Sequence, residues 1–247
     1  MIKLERPIEA PSKLVEGQTY LNNLILDKGE ISHLSEDECD TVNKFYRHEQ
    51  VKTVLFETSH FKCAYCETIS TGNYLEVEHF RPKSIYRDLT LEWSNLLPSC
   101  KKCNLKKRNF DTGLYPIIDP YVEDPENFLK YEFLSIKPSD HCPDRDKTKR
   151  TIDLCGLNRP ELLEERIRLL RVLTEYSNNL QQKINNYIPN NTSLQNFNII
   201  INIKNSLEII TQKSRPEENY SGLCRYYIRT SEDIQNAISI VNENPIE

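Results

Sequence analysis

The chain has 247 residues, with 32 Lys and Arg against 37 Asp and Glu, a formal charge of −5, and only 6 glycines. That length supports one large or two small packed domains, and the scarcity of glycine excludes a linker or repeat protein. The acidic balance argues against a protein that holds nucleic acid by bulk attraction. No apolar run reaches the roughly 18–20 residues of a membrane span, and the opening MIKLERPIEAPSKL lacks the apolar stretch of a signal peptide. The chain reads as cytosolic (cytoplasmic), where thiols stay reduced and close cysteine pairs point to metal rather than disulfide.

Residues 1–34 read as an extended segment. Ile2, Leu4, Ile8 and Leu14 are apolar anchors separated by Pro7 and Pro11, and such a segment either docks in a partner's groove or packs along the chain's own helices. Ser35 and Glu38 have capping-box spacing and predict one helix over residues 36–60, with Val42, Phe45, Val51, Val54 and Leu55 as its partly periodic apolar face. Residues 110–138 carry Pro116, Pro120, Pro125 and Pro138 and the strand-like KYEFLSI, a pattern of loops with one hairpin. From about residue 146 the pattern is helical. Asn158 is the expected cap of a long helix with Pro160 and Glu161 in its first turn. Its stripe is Leu163, Ile167, Leu170, Leu173, Tyr176, Leu180, Ile184 and Tyr187. A second helix carries Phe197, Ile200, Ile203, Leu207 and Ile210, and shorter ones follow around residues 217–229 and 231–241. These helices read as core packing. The expected division is a segment 1–34, a domain 35–138 holding the unusual chemistry, and a helical domain 139–247.

That chemistry begins with two Cys-x-x-Cys pairs, Cys63 with Cys66 and Cys100 with Cys103. A two-residue gap lets a tight knuckle aim both sulfurs at one ion, and two such pairs fit a tetrahedral zinc site. No thioredoxin-like pattern surrounds either pair. Cys39, Cys142, Cys155 and Cys224 lack such partners and read as ordinary small residues. A closed site of four thiolates has no open position for catalysis, so function must come from what it clamps. Between the knuckles, LEVEHFRPKS alternates as a strand does, with Val77 and His79 on one face and Glu78 on the other. An acid beside a histidine at a strand end can serve metal and base roles from adjacent directions. After the second knuckle Asn104 opens a basic helix with Lys101, Lys102, Lys106, Lys107 and Arg108 around it. Residues 61–108 hold nine Lys or Arg against five acids inside an acidic chain, a local field that draws phosphates. His33, His48, His60 and His141 have no such company.

The order Glu78-His79, Asn95, Asn104 within a cysteine-clamped segment, with NLLP in the middle and CN followed by Lys, resembles the HNH nuclease family over residues 63–108. The resemblance implies a mainly α, α+β fold. In it a zinc-clamped ββα-metal core is embedded between an N-terminal helix and a C-terminal helical bundle. It also implies roles. His79 is the general base that activates water, Glu78 and Asn104 hold one catalytic Mg2+ or Mn2+, Asn95 stabilises the His79 loop, and Lys107 contacts phosphate. A neutral imidazole accepts a proton near pH 7, a single hard ion acts as Lewis acid, and Asn104 supplies an oxygen ligand suited to it. The opening segment, CAYCE, VEHFRPKS and the helical tail are together similar to a narrower group, the PtuB-type HNH proteins of Septu antiphage systems and ATPase-linked retrons. That similarity implies a defence effector that cleaves nucleic acid, DNA foremost, beside an ABC-like ATPase of PtuA type. The retron branch adds a reverse transcriptase–RNA complex as partner. The competing reading is a non-catalytic zinc-stabilised adaptor, which would need the cysteines but not Glu78, His79 or Asn104.

Overall fold

In the computed structural model of the chain, residues 1–69 and 75–245 are described. Helices span Ser12–Lys28 (α1), Glu36–Tyr46 (α2), Glu49–Glu57 (α3), Lys101–Lys107 (α4), Arg145–Leu154 (α5), Pro160–Ile184 (α6), Leu194–Gln212 (α7), Ser221–Thr230 (α8) and Glu232–Glu243 (α9). Strands Leu75–His79 (β1) and Leu96–Cys100 (β2) form one two-stranded sheet, and Leu129–Glu132 (β3) and Ser135–Pro138 (β4) form another. The fold is α+β and mainly α. Among the described residues no helix is long and apolar enough to cross a membrane.

The chain divides into two units. The first comprises Met1–Leu129 and Ile136–Leu157, and the second Lys130–Ser135 and the chain from Asn158 onward. The boundary therefore lies at Leu157 rather than near residue 139. Helix α5 belongs to the first unit because Thr151 Oγ1 accepts the Ile118 N–H at 2.9 Å, and Arg150 Nη1 donates to the Pro116 carbonyl at 2.6 Å.

Residues 1–34, expected to be extended, are partly helical and pack on the chain itself. Leu14 and Leu21 on α1 join Val42, Tyr46, Val51, Leu55, Leu91, Trp93 and Leu96 in one core. Helices α1 and α2 approach closely at Gly17, where a Cβ would lie 2.5 Å from Phe45 Cγ. Ahead of α1, Met1, Ile2 and Leu4 are buried, and Ile8 alone of the four expected anchors is fully exposed. The backbone there is tied down: Leu4 N donates to Pro120 O at 2.9 Å and Trp93 Nε1 to Pro7 O at 3.1 Å. The Met1 α-ammonium pairs with Glu67, which also lies 3.7 Å from Lys62 Nζ. Arg6 donates to the carbonyls of Trp93 and Leu96, the latter at 3.0 Å, and its guanidinium lies 3.9 Å from the Tyr121 ring centroid. Five donors in a planar fork suit this bridging of two carbonyls.

The single helix expected over 36–60 is two. The capping box at Ser35 is present, with the Glu38 N–H on Ser35 Oγ and the Ser35 N–H on the Glu38 carboxylate. The break falls at His48, whose extended backbone (φ −64°, ψ 141°) lets Nδ1 accept the Gln50 N–H and cap α3. Its physical reason is phase. Tyr46 and Val51 are five residues apart and would point about 140° away from each other on one straight helix, yet both are buried in the same core.

Strand β1 pairs antiparallel with β2, Leu75 opposite Cys100 and His79 opposite Leu96. Helix α3 packs on both strands, and α4, which follows β2 without a loop, also packs on both. The alternation of β1 sends Val77 and His79 toward the α2–α3 core and Glu76 and Glu78 toward α4.

In the second unit, Leu180, Ile184, Ile200, Ile203, Leu207, Ile210, Ile234, Ala237 and Ile240 form the core of α6, α7 and α9. Helix α6 has Arg159 at its cap position, one residue after the expected Asn158. Its buried positions are Leu162, Arg166, Leu173, Ser177, Leu180 and Ile184. The first half of the expected stripe is thus turned by one residue, because buried Arg166 donates through Nη1 to the Leu134 carbonyl (2.9 Å) and to Asn158 Oδ1 (3.3 Å).

Arg6 tests the role of the N-terminal segment. Arg6→Met keeps the stem and removes the donors, leaving the Trp93 and Leu96 carbonyls short of partners. The expected loss is about 2–4 kcal/mol in the first unit, read by denaturant unfolding followed through Trp93, the single tryptophan. An unchanged midpoint would show that the segment does not support this unit.

Candidate active site

The site is built on the C-terminal end of β1. His79 is only 8% exposed and its Nε2 lies 2.9 Å from the Thr90 carbonyl oxygen. A carbonyl only accepts, so the ring proton sits on Nε2 and the lone pair on Nδ1. The Tyr46 ring stands edge-on to the imidazole, centroids 4.7 Å apart at 89°. Burial first, and then the nearby Lys83, Lys107 and Arg47, hold the imidazolium pKa down to about 4, against the Thr90 contact that raises it. The ring is therefore neutral across the physiological range.

The chain leaving His79 is fastened by Asn95. Its Oδ1 accepts the Arg81 N–H at 2.8 Å, and its Nδ2 donates to the carbonyls of Arg81 (3.0 Å) and Leu89 (3.2 Å). The Phe80 N–H donates to the Asn95 carbonyl at 2.8 Å. One carboxamide, itself buried, thus joins both ends of the loop between β1 and β2, and Arg6 holds the carbonyls on either side of it.

On the α4 face, the one-turn spacing of Asn104 and Lys107 matches the two-residue spacing of Glu76 and Glu78. Asn104 Nδ2 donates to Glu76 Oε2 at 2.7 Å, and Lys107 Nζ lies 2.5 Å from Glu78 Oε1. Glu78 is 2% exposed and also accepts from the Tyr65 hydroxyl at 3.0 Å. Lys107 is 1% exposed and donates to the His79 carbonyl at 3.0 Å. The buried position of Lys107 differs from the phosphate contact expected of it: its charge is spent on Glu78 and on the His79 carbonyl. Lys101, Lys102, Lys106 and Arg108 are exposed. Of these four only Arg108 lines the cleft of about 520 Å3 that opens beside His79, Glu76, Glu78 and Asn104.

The four knuckle cysteines meet. Their sulfurs all lie within 4.8 Å of one another, with Cys66 and Cys100 Sγ 3.8 Å apart. Four sulfurs at about 2.3 Å from one Zn2+ form a tetrahedron with edges of roughly 3.8 Å, so this donor set fits zinc. The first knuckle turns at Glu67 (φ 63°) and docks onto β2 through the Ala64 N–H on the Pro98 carbonyl at 2.9 Å. For a hard divalent ion the chemistry of the other wall fits as well. The carboxylates of Glu76 and Glu78 and the Asn104 carboxamide are oxygen donors, and Glu78 already has Lys107 as a partner. Sequence reasoning missed Glu76, although its position two residues before Glu78 on one strand face was a signal for it. Tyr46, Arg47 and Arg6 had no local signal, since they reach the site only through packing.

A two-stranded antiparallel sheet with a helix laid on it, a histidine at the strand end and paired knuckles at the entrances defines a ββα nuclease-type centre, and residues 63–110 match the family described as HNH endonuclease. Among relatives, a Septu protein PtuB of Bacillus thuringiensis is 38% identical over 165 residues, 66% of this chain and 57% of that one. A Septu protein PtuB of Bacillus mycoides (strain KBAB4) is 30% identical over 203 residues, 62% of this chain and 68% of its own. A Vibrio cholerae protein named as a putative HNH endonuclease of retron Vc95 is 27% identical over 190 residues, 69% of this chain and 88% of its own. The chain belongs to the PtuB family of HNH proteins. It spans little more than half, 57%, of the length of the Bacillus thuringiensis relative.

The thiol cluster is tested by metal content. Elemental analysis of the natively purified chain is expected to give about one zinc per molecule, with removal by a strong chelator lowering the melting temperature of the first unit, since binding a structural metal is part of folding. Protein free of zinc with an unchanged melt would reject the assignment.

Proposed function

We propose that the chain is a metal-dependent endonuclease that cleaves phosphodiester bonds of nucleic acid, DNA foremost, and that it serves as the effector of an antiphage defence system beside an ABC-like ATPase. The observation that carries the chemistry is His79, which is neutral, with Nε2 engaged by Thr90 O and Nδ1 left as the acceptor, beside the oxygen donors of β1 and α4. The defence context is supported by the Septu and retron names of the relatives. The PtuB-type resemblance supports the ATPase partner and, on the retron branch, the reverse transcriptase–RNA complex.

In this reading His79 Nδ1 takes a proton from a water molecule. The water oxygen forms a new bond to phosphorus while the bond to the leaving sugar oxygen breaks, and that oxygen takes a proton from solvent. Glu78 and Asn104 are the donors assigned to a divalent ion, Mg2+ or Mn2+, which would supply Lewis-acid stabilisation of charge on the phosphate. Asn95 holds the loop that keeps the imidazole aimed, and Lys107 fixes Glu78 and the His79 carbonyl from beneath. Glu76 accepts one Asn104 N–H, which turns the carboxamide oxygen away from Glu76 and leaves it for the ion. Lys101, Lys102, Lys106 and Arg108 add positive charge near the approach.

Two measurements test this reading. Plasmid nicking that needs added Mg2+ or Mn2+ and stops when both are withheld should fall by about 10²–10⁴-fold in His79→Ala. A wild-type rate in that variant would remove His79 from the mechanism, and no cleavage by the wild-type chain with its ATPase would favour the adaptor. Glu76→Gln should weaken Mn2+ binding about 10- to 100-fold in a titration followed by electron paramagnetic resonance, with the melt unchanged because Glu76 is half-buried. An unchanged Mn2+ affinity would dismiss the orienting role.

A further inference from the structure

The HNH match covers residues 63–110, yet part of one wall of the cleft is supplied from outside it. Arg47 closes α2 at the α2–α3 break, and Lys52 lies one turn into α3. Both line the cleft with His79, together with Lys83 from the loop after β1. We propose that Arg47, Lys52 and Lys83 form a second phosphate-binding wall that grips the sugar-phosphate backbone of the nucleic acid beside the bond being cut. The inference rests on the endonuclease reading and assigns its substrate contacts.

Charge pairing carries the argument. Elsewhere in this unit cations near the site are neutralised. Lys107 is spent on Glu78 and Lys62 lies near Glu67. Lys83 is held differently. Its ammonium donates to Asn43 Oδ1 at 2.8 Å and to the Tyr46 hydroxyl at 2.9 Å, both neutral, and lies 5.1 Å from the Tyr46 ring centroid. The Arg47 guanidinium, exposed, lies 5.5 Å from the same ring. Neither has a carboxylate partner among the described residues. Lys52 pairs with Glu49, which is 81% exposed on the side chain, at 2.7 Å, and an exposed pair of this kind exchanges readily with a phosphate. Arg108, also on the cleft, donates to the Leu105 carbonyl.

Arg47, Lys83 and Arg108, without acidic partners among the described residues, thus line the cleft beside His79 in a chain of net charge −5. Gathering like charges is unfavourable unless an anion arrives, and here two of them are fixed in place on one aromatic ring before it does. Arg47 presents a planar fork suited to two phosphate oxygens, and Lys83 a point charge already oriented by its neutral acceptors. Lys101, Lys102 and Lys106, in contrast, do not line the cleft, so of the motif's exposed basic run only Arg108 stands beside the base. Its Arg47 and Lys52 come from the break between α2 and α3. Without His48 capping a new helix, Arg47 would lie within a continuous helix and not at its end.

The test uses the full chain and a fluorescein-labelled DNA duplex, with Mg2+ and Mn2+ withheld so that nothing is cut. Anisotropy is followed over a range of salt concentrations. Arg47→Gln is expected to weaken binding by about three- to tenfold and to lower the slope of log K against log salt by about one. Arg47→Gln with Lys52→Gln should lower it further, and Lys83→Gln, checked by a Trp93-monitored melt, should act in the same direction. Arg171→Gln, an exposed charge on α6, controls for net charge and should change neither quantity. With metal restored, Arg47→Gln should raise KM more than it lowers kcat, unlike His79→Ala. If the wild type binds and cleaves while Arg47→Gln and Lys83→Gln keep its affinity and salt slope, this wall does not hold substrate and the inference is overturned. A duplex bound equally weakly by Arg171→Gln and Arg47→Gln would reduce the effect to net charge and overturn it too. If the wild type neither binds nor cleaves nucleic acid, the endonuclease reading itself falls and the wall with it.

Discussion

A ladder of five residues in each of two strands cannot hold itself together in water, and the first unit is arranged around that weakness. Helix α3 covers one face of the ladder and α4 the other. The knuckle cysteines tie the approach to β1 to the junction of β2 and α4, and the N-terminal segment reaches back across the unit to bond the carbonyls of Trp93 and Leu96. The result is a thin sheet with no free face, whose strand end carries His79 in one orientation. Positional accuracy in a general base depends on this kind of support. The imidazole cannot turn without breaking its bond to Thr90 O, and the loop after it cannot shift without breaking the bonds of Asn95.

The electrostatics of the site follow from the same alternation. Period two sends Glu76 and Glu78 to one side of β1 and His79 to the other, so the imidazole and the carboxylates lie on opposite faces of one strand. Glu78 is buried, and an unpaired carboxylate there would cost several kcal/mol. Lys107 supplies the counter-charge and also donates to the His79 carbonyl, coupling the acid side of the strand to the base side. Tyr65 adds a third contact. Burial, with the Glu78 carboxylate close by, pushes its phenol pKa well up, and it stays a donor. Glu76, less buried, takes the neighbouring Asn104 instead.

The second unit is built by different means. Its helices close on an aliphatic core, and among its buried polar residues Arg166 donates to a backbone carbonyl and to an asparagine side chain. Its exposed faces mix Glu with Arg in near balance along α6, as protein-facing or salt-bridged helices do. The association with an ATPase is proposed for the chain as a whole.

By itself the sequence determined the parts whose signal is local. Two-residue cysteine spacing defined the knuckles because a tight turn of that length aims both sulfurs at one ion. The Ser35–Glu38 box placed the start of α2, the proline-rich stretch placed the β3–β4 hairpin, and alternation put His79 and Glu78 on opposite faces of a strand. It could not decide contacts between segments distant along the chain. The phase fault between Tyr46 and Val51 became a helix break only because both residues had to enter one core, and that break carried Arg47 to the cleft. Arg6 and the buried N-terminal anchors found partners far along the chain, so a segment that cannot bury itself locally proved to be part of this unit. The buried Lys107 and the Glu76–Asn104 bond follow from the alignment of α4 on β1, and the one-residue turn of the α6 stripe follows from a guanidinium finding the Leu134 carbonyl. Composition cannot tell a solvated lysine from a buried one, because the difference lies in whether a carboxylate on another element stands within hydrogen-bonding reach, and only the tertiary structure brings it there.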